Sequence, residues 1–161
     1  MKTINPEHIK VLLDIINQSS YLKLLSIKVC ELRSGYCKAE VDLEEKHLNP
    51  FGGTHGGVYA SLIDTATFWA VYCDLKENVG WITIDLKVDN LAASKEGRLI
   101  VEGKQIKVGR SICLAEATIK DIHGKLLACG TSKQLILDGM QPVNQAASVL
   151  GYRSLPPKFL F

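Results

Sequence analysis

An α+β fold, with one long helix wrapped by a curved antiparallel sheet, is what the sequence predicts, on three observations. Residues 55–75 read as a helix whose apolar side chains (Val58, Leu62, Ile63, Ala66, Phe68, Trp69, Ala70, Val71) point in almost every direction. A helix that is apolar nearly all round has to be surrounded. The residues after it, 82–137, fall into four strand-like stretches with hairpin-length connections, which supply the wrapper.

The first element comes from Asn5-Pro6-Glu7, which combines an N-cap, a proline at the first helical position and an acid in the first turn. Ile9, Leu12, Leu13 and Ile16 follow at helical spacing, so residues 6–18 are expected to form a short amphipathic helix. Residues 24–43 read as two strands around Arg33-Ser34-Gly35. In the second of them Cys37, Ala39, Val41 and Leu43 alternate with Lys38, Glu40 and Asp42. Residues 44–53 carry the turn signals Asn49-Pro50 and Gly52-Gly53 and lead into the long helix. Beyond it, Ile82, Ile84, Leu86 and Val88 alternate with Thr83, Asp85, Lys87 and Asp89. Residues 97–106, 111–120 and 125–137 read as three more strands, and the four are expected to form an antiparallel meander. Residues 1–137 thus make a single domain. Residues 138–161, with Pro142, Pro156 and Pro157, are an extension of weak periodicity to which no structure is assigned.

Composition narrows the function. The chain has 161 residues, 47% hydrophobic and 22% charged, which is an ordinary globular balance. A net charge of +2 gives no argument for nucleic acid. The five cysteines (Cys30, Cys37, Cys73, Cys113, Cys129) include no C-x-x-C pair and none at zinc-ligand spacing to a histidine. They are expected as free, buried or half-buried thiols, which implies a reducing, cytoplasmic setting. The N-terminus has no apolar signal-peptide core. The run from Gly56 to Cys73 is interrupted by Asp64, Ser61, Thr65 and Thr67, so a buried helix fits it better than a membrane span. No metal and no cofactor is expected. His8, His47 and His123 lack an acid or cysteine partner and are expected at the surface.

Asp64 is the central candidate for chemistry. It is the only carboxylate between His55 and Asp74, on a helix that must be buried. A buried carboxylate is either bonded to nearby polar groups for structure or tuned for catalysis. His55-Gly56-Gly57 begins the same helix, where the first amides lack intrahelical partners and the helix end favours an oxyanion. Gly56 and Asp64 are eight residues apart, ~12 Å along a helix axis, which is too far for one reacting carbon to touch both within a chain. A working site would therefore take its carboxylate from a neighbouring subunit. Asn49 is either a loop residue before proline or an amide that orients water. Thr83 is either a solvent-side strand residue, on one face with Asp85 and Lys87, or part of the site. Lys104, Lys107 and Arg110 surround the turn Val108-Gly109-Arg110-Ser111, which is either a solvated edge or a phosphate contact.

Taken together, Asn49, the run from His55-Gly56-Gly57 to Asp64-Thr-Ala, Thr83-Ile-Asp-Leu and Val108-Gly109-Arg110 resemble the hotdog-fold acyl-CoA thioesterases of the phenylacetate-degradation type, over about residues 24–137. The resemblance implies a helix wrapped by a sheet, homodimers that often pair again into tetramers, and an active site at the dimer interface. It implies that the Gly56 N–H polarises the thioester carbonyl and that Asp64 of the partner is nucleophile or general base. Asn49 would place water or substrate, Thr83 would support the attacking group and His55 would shape the carbonyl pocket. Gly57, Val108, Gly109, Arg110 and Ser111 would meet the CoA portion, which is substrate and not cofactor. Two departures stand out. Many members of that family place a proline after the Thr-x-Asp-Leu strand, where this chain has Asn90-Leu91-Ala92-Ala93, and the C-terminal extension is long.

Acyl-CoA hydrolysis is thus the expected activity, with no nucleic acid or membrane as partner. The alternative is a hotdog protein that binds an acyl-CoA without cleaving it. Asp64 at the matching spacing argues against that. A hotdog dehydratase would carry a different helix signature. Trp69, Phe68, Tyr72 and Trp81 suit an aromatic or a fatty acyl pocket equally.

Overall fold

The computed structural model describes residues 2–161. After a two-residue strand, β1 (Thr3–Ile4), helix α1 covers Pro6–Asn17. Its start follows the local chemistry, since the Asn5 side chain accepts a hydrogen bond from the Glu7 N–H at 3.1 Å and Pro6 opens the first turn. Leu12, Ile15 and Ile16 are its buried stripe. A second helix, α2 (Ser20–Leu25), then occupies residues where the first strand was expected to begin. It spans under two turns and buries only Leu22, too little for a periodic signal. Ser26 closes it in the left-handed conformation, φ 56°.

Strands β2 (Lys28–Arg33) and β3 (Tyr36–Asp42) form the expected hairpin. Helix α3 runs from Gly56 to Ala70. It is shorter than the expected 55–75 because Val71 caps it and a 3-10 turn, Tyr72–Asp74, replaces the last helical turn. Leu62, Ile63, Ala66 and Ala70 are fully buried, and α3 meets β3, β5 (Arg98–Val108), β6 (Ile112–Asp121), β7 (Leu126–Asp138) and β4 (Val79–Asn90). At Gly103 on β5 the two backbones nearly touch: a Cβ there would lie 2.4 Å from the Ala66 carbonyl oxygen.

The strand order corrects the expected four-strand meander. The sheet runs β2-β3-β5-β6-β7-β4, antiparallel throughout. Strand β4 pairs with β7 and not with β5, whose free side is taken by β3. The reason lies in α3. The helix crosses the concave face and delivers the chain to the far edge, so β4 enters there and the next strand returns to the middle. The meander is therefore β5-β6-β7 alone.

The extension returns to the body. After α4 (Val143–Val149), strand β8 (Phe159–Leu160) pairs with β1. The Lys158 side chain is buried, and its Nζ donates to the carbonyls of Tyr72 (2.6 Å) and Leu75 (2.7 Å). These contacts correct the reading of two histidines as surface residues. His8 is buried between the Pro156 carbonyl (Nδ1, 2.6 Å) and the Tyr72 hydroxyl (Nε2, 2.5 Å). His47 is fully buried, with Nδ1 accepting from the Glu44 N–H (2.8 Å) and Nε2 donating to the Leu25 carbonyl (2.6 Å). Both satisfy backbone groups from distant segments, which no local spacing announces. His123 is exposed.

Candidate active site

Asp64 sits at the middle of α3, half-buried, and its Oδ1 accepts a hydrogen bond from the Thr83 hydroxyl at 2.8 Å. That bond depends on a bulge. Thr83 is opposite Gln134 on β7, whereas Asp85 is opposite Lys133, the next residue along. Ile84 is therefore extra, and Thr83 and Asp85 fall on opposite faces of the sheet. Thr83 shares the inner face with buried Gln134, while Asp85 reaches the exposed Lys133 Nζ at 3.2 Å. The expectation that Thr83 shares a face with Asp85 and Lys87 fails for this reason. Asp64 and Thr83 line a cavity of about 360 Å³ whose other walls are mostly apolar.

The other predicted residues gather elsewhere. Asn49, Gly56, Tyr59 and Asn90 line a separate cavity of about 370 Å³ at the N-terminal end of α3. The His55 ring caps this end, its Nδ1 accepting from the Gly57 N–H at 2.8 Å. A Cβ on Gly57 would sit 2.9 Å from that nitrogen, so a larger residue there would push the capping ring aside. The Gly56 N–H, first in the helix, has no intrahelical acceptor and faces no other one among the described residues. The Asn49 side chain is partly committed: its Oδ1 accepts from the N–H groups of Phe51 (2.9 Å) and Gly53 (3.2 Å). Only its NH₂ group remains for a ligand. Tyr59 donates to the Ala92 carbonyl at 3.0 Å, and burial pushes its pKa up.

Asn90 is the residue that sequence reasoning noted only as a departure. Its Nδ2 lies 2.9 Å from where a Cβ on Gly56 would stand, and its side chain bonds to no described residue. The signal was its position at the end of the strand that follows the helix, but only the fold shows that this strand end returns to Gly56.

The turn Val108–Ser111 lies at the end of the β5–β6 hairpin, where the Gly109 N–H donates to the Ile112 carbonyl (2.9 Å). It is apart from both cavities. A bulge between Gln105 and Lys107 puts Lys107 on the same outer face as Lys104, so these two of the three expected cations share one side of the hairpin. Among the described residues no three His, Cys, Asp or Glu side chains converge as a metal site, and no helix is long and apolar enough to cross a membrane. All five cysteines are free, with Cys37, Cys73 and Cys113 buried. Burial drives the Cys73 thiol up to about 12.

Comparison with known proteins bears on the fold and the family likeness. The family model of the thioesterase superfamily matches residues 51–128. A relative from Saccharolobus solfataricus that carries an esterase name is 28% identical over 130 residues, 80% of this chain and 92% of its own. Acyl-coenzyme A thioesterase 13 of Mus musculus is 28% identical over 93 residues, 56% of this chain and 66% of its own. Among solved structures, a thioesterase from Haemophilus influenzae superposes with a TM-score of 0.73 at 21% identity, covering 78% of this chain and 88% of its own. A mutant thioesterase from Pseudomonas aeruginosa does so with 0.74 at 18%, covering 83% and 95%. The two structures share the fold. The six-stranded antiparallel sheet wrapped around one buried helix is the hotdog fold of these solved structures, and over residues 51–128 the chain is similar to the thioesterase superfamily.

Proposed function

We propose that this protein hydrolyses acyl-CoA thioesters at a site shared between two copies of the chain. The observation that carries the reading is the separation of the two halves of the machinery. A carboxylate held by Thr83 lies in one cavity, and an unbonded helix-terminal N–H lies in another. Neither cavity alone holds both groups that thioester hydrolysis needs. The long edge strand β4, which leaves Ile84 and Leu86 exposed, is suited to meet its own copy and bring Asp64 of one protomer to Gly56 of the other. A tetramer built from two such dimers is the further expectation.

In this reading the Gly56 N–H donates to the thioester carbonyl oxygen and stabilises the oxyanion as it forms. Asp64 either removes a proton from water, which attacks the carbonyl carbon, or attacks it directly to give an anhydride that water then opens. The carbon–sulfur bond breaks as the carbonyl reforms, and CoA leaves as a thiolate that takes up a proton. Thr83 fixes the carboxylate. The Asn49 NH₂ group and Asn90 border the carbonyl pocket, and His55 holds the helix end in shape. Gly57 gives the thioester room beside that end, while Val108, Gly109, Arg110 and Ser111, with Lys104 and Lys107, offer donors to the phosphates of CoA. The reaction uses no metal or cofactor, nucleic acid and membranes are not partners, and the protein works in the cytoplasm.

The test is Asp64→Asn, assayed by thiol release from acyl-CoAs. The expected result is a folded protein that binds acyl-CoA and hydrolyses it at least about a hundredfold more slowly, the scale of a lost base or nucleophile. Normal turnover in this variant would make the aspartate structural. Binding by wild type and variant with hydrolysis by neither would favour a non-catalytic acyl-CoA carrier. Light scattering is expected to give a dimer or tetramer, and a fully active monomer would overturn the shared site.

A further inference from the structure

Resting on the thioesterase reading, we propose that the C-terminal segment 139–150 forms the outer wall of an acyl-chain groove. That groove makes the protein selective for apolar acyl groups of about hexanoyl length and longer.

The groove starts at the proposed reacting carboxylate. The cavity of about 360 Å³ that contains Asp64 and Thr83 shares Ser19, Phe68, Trp69, Val143, Ala146 and Leu150 with a second one of about 510 Å³. The two cavities adjoin along these six residues, and in this proposal they serve as one channel between the N-terminal helices and α4. Each volume lies in the range of small-molecule sites. Asp64 is the only charged residue along its length, and it stands at one end. Leu12, Ile16, Phe68 and Trp81 add apolar floor. An acyl chain whose thioester meets Asp64 would enter this channel tail first. A dicarboxylic acyl group would bring its second carboxylate into a space lined by no cation.

The wall is held in place at both ends. At its start, the Met140 carbonyl packs so closely on β4 that a Cβ on Gly80 would be 1.8 Å from its oxygen. Past its end, Lys158 bonds to Tyr72 and Leu75, and β8 pairs with β1. Between these anchors α4 turns Val143, Ala146 and Leu150 to the channel. Two of the four aromatic residues first considered for the pocket, Phe68 and Trp69, line both cavities, and Trp81 lines the outer one. Tyr72 instead stacks on His8, away from the channel. The wall lies outside residues 51–128, so it is not part of the matched family core.

The experiment measures kcat/KM for acetyl-, butyryl-, hexanoyl-, octanoyl- and decanoyl-CoA with the full-length wild type, Ala146→Trp, Leu150→Gln and Asn144→Ala. Burial of each methylene is worth roughly a fourfold gain in kcat/KM, so a steep rise from butyryl to octanoyl is expected. Ala146→Trp fills the channel and should lower the octanoyl-to-butyryl ratio by at least about tenfold, the worth of a few methylenes. Leu150→Gln should lower it in the same direction. Asn144→Ala, on the side of α4 away from the channel, should keep the ratio. A flat wild-type profile, or a ratio indifferent to Ala146→Trp and Leu150→Gln, overturns the inference. So does a change of oligomeric state in these two variants with no change in ratio, which would seat a second copy in the channel. Binding separates this from the parent reading. Wild-type Trp69 and Trp81 fluorescence is titrated with non-hydrolysable acetyl- and octanoyl-CoA thioethers. Tighter octanoyl binding without hydrolysis of any ester would retain the groove and reject the esterase. Equal affinity for the two would reject the groove.

Discussion

Thr83 reaches Asp64 because β4 carries one extra residue, Ile84, at that point. Regular alternation along 82–89 puts Thr83 beside Asp85, and those eight residues contain no glycine or proline to mark a bulge. The pair was therefore legible as two candidates 19 residues apart and not as a contact. Its worth is measurable. Thr83→Val keeps the shape and removes the hydroxyl, leaving the carboxylate without its donor. A hydrogen bond to a charged group contributes roughly 1.5–3 kcal/mol, so hydrolysis is expected to slow about tenfold or more. The urea midpoint should move little because the side chain is only partly buried. Unchanged kcat/KM would assign Thr83 to the sheet alone. Asn49 shows the reverse case. Its role in the loop, holding the N–H groups of Phe51 and Gly53, follows from its position before proline, and it leaves less of the amide for catalysis than a free side chain would.

At the scale of elements, the helix and the strands were readable because each has a periodic signal of its own. Alternation in β3 and the cap at Asn5 need nothing beyond neighbouring residues. Which strand lies beside which is a different kind of information. Strand β4 carries the pattern of a strand but nothing in that pattern says that β7 is its partner. A tight joint between helix and sheet is at Gly103, where β5 meets the backbone of α3. Gly103→Ala forces a methyl to within 2.4 Å of the Ala66 carbonyl oxygen, and neither backbone can turn aside as a side chain would. A loss of roughly 1–3 kcal/mol is expected from overpacking of this kind, read as a lower urea midpoint. A midpoint equal to wild type would mean that α3 and the sheet separate without cost.

The whole molecule is closed by its two ends. His8 in α1 bonds to Pro156 and Tyr72, and β1 pairs with β8, so the N-terminal helix and the C-terminal segment are fixed together against the core. Burial holds the His8 pKa below its ordinary 6.5. The unfolded chain therefore takes up a proton before the folded one as pH falls. Stability contributed by this site is present above about pH 6.5 and is lost on acidification towards the lower, folded value. His8→Gln cannot be protonated, so its urea midpoint should fall less than that of wild type between pH 7 and pH 5. Parallel falls in the two proteins would place the acid sensitivity elsewhere.

From the sequence by itself come the class of fold, the buried helix with its acid and its glycine-rich start, and the distance between them on which the proposal of a shared site rests. These are properties of short stretches, carried by periodicity, capping chemistry and the fixed rise of a helix. The tertiary structure alone decided the order of the strands, the bulge that turns Thr83 inwards, the burial of His8 and His47, the return of Asn90 to Gly56, the packing of α4 beside the Asp64 cavity and the pairing of β8 with β1. Each of these joins residues far apart in the chain. A local pattern states which face of an element must be covered, but the partner that covers it is chosen by packing of the whole.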